Sequence, residues 1–270
     1  MFYCHRNHRI VTAFAAKYGP WAVVAGASEG LGAAFAEELA ARGVNLVLLA
    51  RRVELLAEVR ARLSAGKDIE IRTQACDLAQ PDLASVLETI THQLDVGLAI
   101  YNAAYAPIGD VLEHSLDELL RVVDVNVRGP LVFARTLAPR MRVRGRGGIV
   151  LMSSLAGFQG APRIATYAAS KAFNIVLGEG LWRELGPSGI DVLVSCAGAI
   201  RTPGYNKSAQ HDAPGTLDAA RVARQTLDAL GAGPTVIPGA TNRFARFLLG
   251  RVLSRRTAIS IMANSTKALT

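Results

Sequence analysis

Tyr167 and Lys171 are the residues of this 270-residue chain whose types and spacing point most directly to chemistry. They lie four positions apart in a segment predicted to be helical, so their side chains share one helix face. A free tyrosine has a pKa of about 10, and a neighbouring ammonium group lowers it by stabilising the phenolate. The pair therefore indicates a site that transfers protons. Tyrosine and lysine also meet at this spacing by chance, so the rest of the chain must support the interpretation.

Strand-like and helix-like segments alternate along the chain and must position this pair. The predicted strands are Trp21–Ala25, Asn45–Ala50, Ile69–Ala75, Leu98–Tyr101, Ile149–Met152, Ile190–Cys196 and Thr235–Ile237. The predicted helices are Leu31–Arg42, Glu54–Ser64, Pro81–Leu94, Leu116–Met141, Tyr167–Leu185 and Leu217–Leu230. Apolar strands separated by such helices predict a single α/β domain with a doubly wound, seven-stranded parallel sheet flanked by helices. Ligands of such sheets bind beyond the carboxyl ends of the strands.

A glycine-rich turn joins the first predicted strand to the first predicted helix. Glycine lets the backbone turn tightly and approach a pyrophosphate, and the helix N-terminus offers free N–H groups and a positive dipole. The order of strand, turn and helix favours a dinucleotide site over an ordinary tight βα turn. The turn residues predicted to bind the cofactor are Gly26, Ser28, Glu29, Gly30, Leu31 and Gly32.

The end of the second predicted strand indicates which nicotinamide cofactor binds. An acidic residue there would hold the ribose 2′-hydroxyl group of NAD. Instead Arg51 and Arg52 stand there, and Glu54 already begins the next helix. Two guanidinium groups suit a 2′-phosphate through bidentate, charge-assisted contacts. We therefore expect NADP(H), the alternative being that both arginines only solvate a helix start.

The GxxxGxG turn and the YxxxK pair resemble the short-chain dehydrogenase/reductase family. Two further residues, which lie between the turn and the pair in the sequence, add to the resemblance. Ser154 lies 13 residues before Tyr167, just past the fifth predicted strand, and Asn126 lies within Asp124–Gly129. Both positions match the family pattern. The resemblance implies a Rossmann-type fold and an enzyme that acts on CH–OH groups with NADP(H). The catalytic residues that it implies are Asn126, Ser154, Tyr167 and Lys171.

The resemblance also implies a role for each of these four side chains. Ser154 donates a hydrogen bond to the substrate carbonyl, and Tyr167 donates the proton as the oxygen becomes an alkoxide. Lys171 holds the cofactor ribose and lowers the tyrosine pKa, while Asn126 anchors a water that connects Lys171 to solvent. In the reverse direction Tyr167 acts as the base and an alcohol is oxidised. Ser153 is the rival to Ser154, and the spacing favours Ser154.

The resemblance extends the cofactor site beyond the glycine turn and the arginines. The added residues are Asp77, Leu78, Asn102, Ala103, Ala104, Tyr167, Lys171, Gly198, Ile200 and Thr202. From its position alone, Asp77 would be a helix N-cap. Three positions depart from the family pattern, because Ala25 replaces a threonine, Ala104 a glycine and Ala197 a proline. Ala25 and Ala104 either weaken cofactor binding or pack against each other.

The N-terminal third resembles one branch of the family most closely. Tyr18–Val24 and Glu37–Leu48 look like segments of 17β-hydroxysteroid dehydrogenases and 3-oxoacyl-CoA reductases. This implies a small or lipid-like carbonyl substrate, such as a steroid or a 3-oxoacyl thioester, and a homodimer or homotetramer. We expect Pro203–Thr216 to cover the substrate. A non-catalytic NADP(H)-binding sensor or scaffold is the alternative; a nucleotide-sugar epimerase, which also uses YxxxK, usually shows a GxxGxxG turn instead.

Composition limits the remaining possibilities. Half of the residues are apolar and 19% are charged, as is typical of a globular protein. Cys4, Cys76 and Cys196 form no CxxC pair, which favours a reducing compartment. Zinc binding by Cys4, His5 and His8 is less expected than a frayed N-terminus, so we expect no metal. No apolar run is long enough for a membrane helix. We therefore expect a cytoplasmic or peripheral protein with no nucleic-acid partner.

We expect three regions: an N-terminal extension over residues 1–18, the Rossmann-type domain over 19–240 and a basic tail over 241–270. The net charge is +8, and no acidic residue follows Asp228. The tail cations are Arg243, Arg246, Arg251, Arg255, Arg256 and Lys267. A phosphate site, a membrane contact, a lid, a subunit contact and a solvated face all remain open for the tail. On a helical wheel Arg251 and Arg255 share the side of Phe244, so we do not predict a membrane-lying helix.

Overall fold

One parallel sheet of seven strands forms the centre of the computed structural model, which describes residues 12–65, 68–208 and 211–267. The zinc candidates Cys4, His5 and His8 lie outside these ranges. The strands are β1 (Trp21–Ala25), β2 (Asn45–Ala50), β3 (Ile71–Ala75), β4 (Val96–Tyr101), β5 (Gly147–Ser154), β6 (Ile190–Ala197), β7 (Ile200–Arg201), β8 (Leu217–Asp218) and β9 (Thr235–Val236). The sheet order is β3-β2-β1-β4-β5-β6-β9, and β7 pairs with β8 separately.

Helices cover both faces of the sheet. They are α1 (Ala13–Tyr18), α2 (Gly30–Ala41), α3 (Val53–Ser64), α4 (Leu83–Thr91), α5 (Leu116–Val123), α6 (Gly129–Arg144), α7 (Ala165–Leu185), α8 (Pro203–Ser208), α9 (Ala219–Asp228), α10 (Ala240–Phe247) and α11 (Arg255–Lys267). The predicted doubly wound, seven-stranded parallel sheet is confirmed. Within the described ranges, no helix is long and apolar enough to cross a membrane.

The continuous apolar strands follow from this double cover. In β1, Ala22 and Val24 belong to one apolar cluster, whereas Val23 and Ala25 belong to the cluster on the other face. Successive strand side chains point to opposite faces, so a strand covered on both sides must be apolar at every position. Because the strands are parallel, the turns that follow them meet at one edge of the sheet, where the predicted site residues lie.

Two segments differ from the sequence-based expectation. The predicted helix Leu116–Met141 is interrupted by a π-helical turn at Asp124–Arg128, which separates α5 from α6. The N-terminal helix α1 is part of the packed domain, because the hydroxyl of Tyr18 is buried and donates to Asp191 at 2.6 Å. The ordered domain therefore begins before residue 19. Neither feature has a local signature, since each depends on a partner far along the chain.

Candidate active site

The glycine turn is shaped by contacts that leave no room for a side chain. A Cβ on Gly32 would lie 1.8 Å from the carbonyl oxygen of Gly26. Gly26 itself has φ +81°, and a Cβ there would lie 2.8 Å from the backbone of Ala103. The amide of Asn102 donates to the Gly26 carbonyl at 3.0 Å and ties the turn to the end of β4. The turn thus holds the N-terminus of α2 open toward a phosphate group.

The two arginines after β2 lie beside this turn, but they are not equivalent. Arg52 donates to the Ser28 hydroxyl at 3.2 Å and forms an ion pair with Glu29 at 2.6 Å. The charge of Arg51 acts instead on Asp77. With donors at the helix start and two guanidinium groups at its rim, the residues present fit a phosphorylated dinucleotide.

Asp77 is held at the end of β3 by cationic and backbone partners. Burial raises the pKa of its carboxyl group, but the backbone N–H of Ala79 and the guanidinium group of Arg121 outweigh this, so the pKa is lowered. Arg121 reaches Asp77 at 2.9 Å. The neighbouring Leu78 is buried in the core. Asp77 therefore stays ionised and fixed at the end of β3, where the sequence predicts a cofactor contact.

The loop after β6 lies against the glycine turn, as the predicted cofactor site requires. A Cβ on Gly30 would lie 3.0 Å from the Thr202 methyl group, so this loop approaches the glycine turn closely. Gly198 packs against the buried side chain of Asn242, where a Cβ would lie 2.8 Å away. Ile200 is held in β7. Of the positions that depart from the family pattern, Ala25 and Ala197 are buried in the sheet and Ala104 is exposed.

Three of the predicted catalytic residues come together where β5 ends beside α7. The side chains of Ser154 and Tyr167 form a hydrogen bond. Lys171 donates to the carbonyl of Met152 at 2.9 Å, and its Nζ lies 5.5 Å from the centroid of the Tyr167 ring. Ser153 faces elsewhere, since its hydroxyl donates to the Lys171 carbonyl at 2.8 Å and fastens β5 to α7.

Burial sets the electrostatics of this group. Lys171 is 2% exposed, and burial lowers its pKa to about 8. Burial also raises the pKa of Tyr167, and the hydrogen bond with Ser154 opposes that rise. The nearby Cys196 has its pKa raised to about 12 by burial, so its thiol stays protonated and acts as a small core side chain. Of these three groups, the tyrosine and the lysine are therefore the ones suited to proton transfer.

Asn126 lies within the π-helical turn that sequence reasoning did not foresee. The hydroxyl of Tyr101 donates to the carbonyl of Val125 at 2.6 Å. It approaches so closely that a Cβ on Gly129 would lie 2.0 Å from it. Single π turns inside helices are frequent at functional sites. Here the turn brings the fully buried Asn126 to the face of α7.

The side chain of Asn126 braces the loop after β4 against α7. Its amide nitrogen donates to the Tyr105 carbonyl at 2.8 Å and to the Ser170 hydroxyl at 3.0 Å. Its amide oxygen accepts from the Tyr105 N–H at 2.8 Å. Its backbone carbonyl accepts from Asn174 at 3.1 Å. Both N–H groups of the side chain are thereby used in positioning.

Ser170 and Asn174 are site residues that the sequence reasoning missed. A signal was present, because Tyr167, Ser170, Lys171 and Asn174 follow the i, i+3, i+4, i+7 spacing of one helix face. A polar stripe that is buried must be hydrogen-bonded within the protein. Asn174 is buried, and within the described chain its Oδ1 atom has no hydrogen-bond partner.

The C-terminal tail packs against the segment that follows Ser154. Met262 of α11 and Tyr167 both pack on a small cluster formed by Ala156, Ala161 and Ala168. The guanidinium carbon of Arg246 lies 3.9 Å from the centroid of the Phe158 ring, and Arg255 donates to the Phe158 carbonyl at 3.3 Å. The tail is therefore one wall of the region around Tyr167.

A cavity of about 190 Å³ opens beside Tyr167. Its wall is mostly apolar, with Pro107, Val111, Leu119, Pro162 and Ile164 among its residues. His114 also lines it, and its buried Nε2 atom has no hydrogen-bond partner in the described part of the chain. Across the same described ranges, no group of three His, Cys, Asp or Glu side chains is arranged to hold a metal ion.

A dinucleotide turn and a tyrosine–lysine pair at one sheet edge are the arrangement of a dinucleotide-dependent oxidoreductase. The family described as short chain dehydrogenase matches residues 20–213. The chain belongs to this family, the short-chain dehydrogenases/reductases, and is an oxidoreductase acting on alcohol or carbonyl groups. The resemblance stated from the sequence is thus confirmed, including its hydroxysteroid and 3-oxoacyl reductase neighbours.

Two curated relatives illustrate these neighbours. A 7beta-hydroxysteroid dehydrogenase from Clostridium sardiniense is 32% identical over 234 residues, which cover 85% of this chain and 89% of that protein. A very-long-chain 3-oxoacyl-CoA reductase from Aspergillus clavatus is 37% identical over 179 residues, which cover 64% of this chain and 52% of that protein. The chain is therefore similar to enzymes named for two different lipid substrates.

Solved structures show the same similarity. A structure concerned with 7beta-hydroxysteroid dehydrogenase stereoselectivity has a TM-score of 0.86 at 26% identity, covering 93% of this chain and 99% of that one. A short-chain dehydrogenase from Sphingobium yanoikuyae in complex with NADPH has a TM-score of 0.74 at 31% identity, covering 82% and 87%. The likeness to the first structure extends over almost the whole of this chain.

Proposed function

We propose that this protein is an NADP(H)-dependent oxidoreductase that reduces a ketone of a lipid-like substrate, such as a steroid or a 3-oxoacyl thioester, or oxidises the corresponding secondary alcohol. The observation that carries the proposal is the hydrogen bond between Ser154 and Tyr167 beside the buried Lys171. These groups sit at the sheet edge where a dinucleotide turn is also present, so a proton donor lies next to a cofactor site.

In this proposal each side chain has one task. Ser154 donates a hydrogen bond to the substrate carbonyl oxygen, and Tyr167 gives that oxygen a proton as negative charge develops on it. Lys171 stabilises the tyrosine in its ionised form and holds the cofactor ribose. Asn126 keeps the loop after β4 in place against α7. The nicotinamide ring supplies the hydride when it is bound.

The preference for NADP(H) over NAD(H) rests on the residues after β2. Arg51 and Arg52 stand where a carboxylate would select NAD. A short-chain dehydrogenase solved with NADPH is among the similar structures. Glu29 already pairs with Arg52, so a 2′-phosphate must compete with that carboxylate for one guanidinium group. Arg51, which is exposed beside the turn, is then the freer of the two for phosphate binding.

A lipid-like substrate is supported by the relatives and by the walls of the site. The relatives are named for 7beta-hydroxysteroids and for very-long-chain 3-oxoacyl-CoA. The cavity beside Tyr167 is mostly apolar, with His114 as a polar group on its wall. Its volume of about 190 Å³ is below the 300–1,000 Å³ typical of ligand sites. We propose that the basic tail, with Met262 at the site, moves to admit the substrate.

A non-catalytic NADP(H)-binding sensor or scaffold, which Ala25, Ala104 and Ala197 suggested from the sequence, does not agree with a chain that is an oxidoreductase of this family. We also propose a cytoplasmic homodimer or homotetramer built through α5, α6 and α7. Support for the oligomer comes from large apolar side chains that these helices expose, such as Leu116 and Val176.

The test is a titration of the purified protein with NADPH and with NADH, followed by turnover of a steroid ketone, a long-chain 3-oxoacyl thioester and a small ketone. We expect tighter binding of NADPH and measurable consumption with at least one lipid-like carbonyl. A Ser154→Ala variant should bind NADPH normally and turn over at a reduced rate, whereas Ser153→Ala tests the rival position. Tight NADPH binding without turnover of any of these carbonyls would contradict the proposed substrate class.

A further inference from the structure

Two exposed apolar surfaces of this molecule differ in the charges around them. The first lies on α5, α6 and α7, and its exposed residues include Leu116, Leu120, Leu131, Val176 and Trp182. Both acidic side chains, such as Asp117 and Glu179, and basic ones, such as Arg135 and Arg142, lie along the same helices. The second lies on the C-terminal tail, where every charged side chain after Asp228 is positive. The two surfaces therefore suit different partners.

The second surface is here called the tail patch. It consists of Phe244, Phe247, Arg251, Val252, Leu253 and Arg256. Phe244, Phe247 and Val252 are 63%, 57% and 59% exposed, which is unusual for side chains of this size. Clustered exposed apolar residues in a soluble protein generally mark an interaction site, whereas scattered ones do not.

A π-helical turn lies between the two phenylalanines of the tail patch and its C-terminal members. The turn spans Leu248–Val252 and directly follows α10. Phe244 and Phe247 share one face of α10 because they are three positions apart. In this turn the N–H of Leu253 donates to the carbonyl of Leu248, five residues earlier, at 3.0 Å. Because Leu253 is extended and α11 begins at Arg255, one α-helical wheel does not describe the segment from Phe244 to Arg255.

The arginines of the tail divide into two groups. Arg246 stacks on Phe158 and Arg255 bonds its carbonyl, so these two fasten the tail to the domain. Arg251 and Arg256 are exposed, and within the described ranges their side chains form no hydrogen bond or ion pair. Free guanidinium groups beside exposed aromatic rings are the combination that binds the interface of an anionic bilayer.

We propose that the tail patch docks on an anionic phospholipid surface, with Phe244 and Phe247 entering the interface and Arg251 and Arg256 contacting lipid phosphates. The opposite charge of such a surface, and the lack of any acidic residue in the tail sequence, are what select this occupant. Because α11 of the same tail packs beside the Tyr167 wall, docking would place the catalytic region near a lipid phase. That last step rests on the proposed function; the docking itself does not.

The experiment is co-sedimentation of the full chain with vesicles at two compositions. One set contains phosphatidylcholine alone, and the other contains equal parts of phosphatidylcholine and phosphatidylglycerol. We expect sedimentation with the anionic vesicles only, weakening as salt is added. Arg251→Gln with Arg256→Gln should lower the apparent affinity at least about tenfold, since each basic residue near such a surface contributes. Phe244→Ser with Phe247→Ser should lower it similarly.

The matched control is Arg142→Gln with Val143→Ser on α6, which removes an exposed arginine and an exposed apolar residue outside the tail patch. It should bind vesicles like the wild type. Failure to sediment with either vesicle, or equal sedimentation with both, would overturn the proposal. A patch variant that dissociates an oligomer without affecting vesicle binding would show that a second copy covers the patch. NADPH-dependent turnover of a water-soluble ketone, measured in every variant, reports separately on the proposed function.

Discussion

Two regions at the carboxyl end of the sheet are built in different ways. They are the proposed cofactor edge, around Gly26 and Gly32, and the proposed catalytic edge, around Tyr167. Around the glycine turn the backbone carries the geometry, because Gly26 and Gly32 sit where no Cβ fits and Asn102 bonds a carbonyl. Around Tyr167 the geometry comes from buried polar side chains and from a tail more than eighty residues away along the chain. The geometry of the cofactor edge is set locally by the backbone. We therefore expect that substitutions far along the chain can alter the catalytic edge and leave the cofactor edge unchanged.

Gly32→Ala should break the cofactor edge completely. Its Cβ would lie 1.8 Å from the Gly26 carbonyl oxygen, so the turn or α2 must move. We expect NADPH binding below detection by calorimetry, with the free energy of unfolding also reduced. Gly180→Ala in α7 is the control, since nothing lies within 4 Å of its Cβ. It should add about 1 kcal/mol to stability and leave cofactor binding alone. Normal NADPH binding by Gly32→Ala would contradict the claim that backbone contacts set the geometry of the cofactor edge.

Lys171→Met should raise the free energy of unfolding while removing the ammonium group that the proposed proton transfer uses. The wild-type pKa is lowered to about 8 by burial, against about 10.5 when unfolded. Between these values the unfolded chain holds more protons, so wild-type stability rises with pH there. Near neutral pH the folded wild type carries the full cost of the buried charge. The variant should then be more stable by about 2 kcal/mol, after losing one hydrogen bond.

That advantage of Lys171→Met should vanish as the pH approaches about 10.5, which urea denaturation at several pH values would show. Lys17→Met is the control, because Lys17 is half exposed and pairs with Asp191 at 2.6 Å, so its removal should lower stability rather than relieve a buried charge. A constant stability difference between Lys171→Met and wild type across the pH range would mean that the lysine is not buried in its charged form.

Replacing both Arg51 and Arg52 by alanine should affect one cofactor only. A 2′-phosphate loses charge-assisted hydrogen bonds, so we expect the Kd of NADPH to rise about ten- to a hundredfold. The Kd of NADH should stay within about twofold, because NADH has no 2′-phosphate. Arg72→Ala, an exposed arginine paired with Glu70, is the control. An equal loss of affinity for both cofactors would mean that the arginines stabilise the fold and do not select the cofactor.

Met262→Ala should give the smallest effect and act only at the catalytic edge. It removes a partly buried side chain from the wall shared with Tyr167, in a helix far along the chain. We expect a KM for a bulky ketone changed severalfold, with the Kd of NADPH unchanged, because a few methylene groups in a pocket contribute about 1–3 kcal/mol. Steady-state kinetics with a bulky and a small ketone would separate this from a general loss of activity.

The same contrast explains what the sequence could predict. The alternation of apolar strands with helices, the glycine turn and the Tyr167–Lys171 spacing are local patterns, and they predicted the sheet and the residues that meet at its edge. The π turn around Asn126 depends on the hydrogen bond that the Tyr101 hydroxyl, at the end of β4, donates to the Val125 carbonyl. The packing of the tail beside Tyr167 depends on the contact between the guanidinium group of Arg246 and the Phe158 ring. Tertiary contacts of this kind leave no periodicity, so they were not predicted.

Some signals were present but incomplete. Ser170 and Asn174 share the helix face of Tyr167, and a polar stripe on an otherwise apolar helix predicts buried hydrogen bonds without naming the partners. The arginines after β2 predicted a phosphate site, but the sequence did not show that Glu29 pairs with one of them. Pairs across turns are set by the packing of the loop rather than by the spacing of its residues.

The most direct test of the account is Tyr167→Phe, which removes one hydroxyl group and leaves the ring in place. We expect the Kd of NADPH to stay near the wild-type value while kcat for the best carbonyl substrate falls about a hundred- to ten-thousandfold. That result would place the proton donor at Tyr167, on an edge that is separable from cofactor binding. A variant that binds NADPH normally and turns over at the wild-type rate would contradict the account.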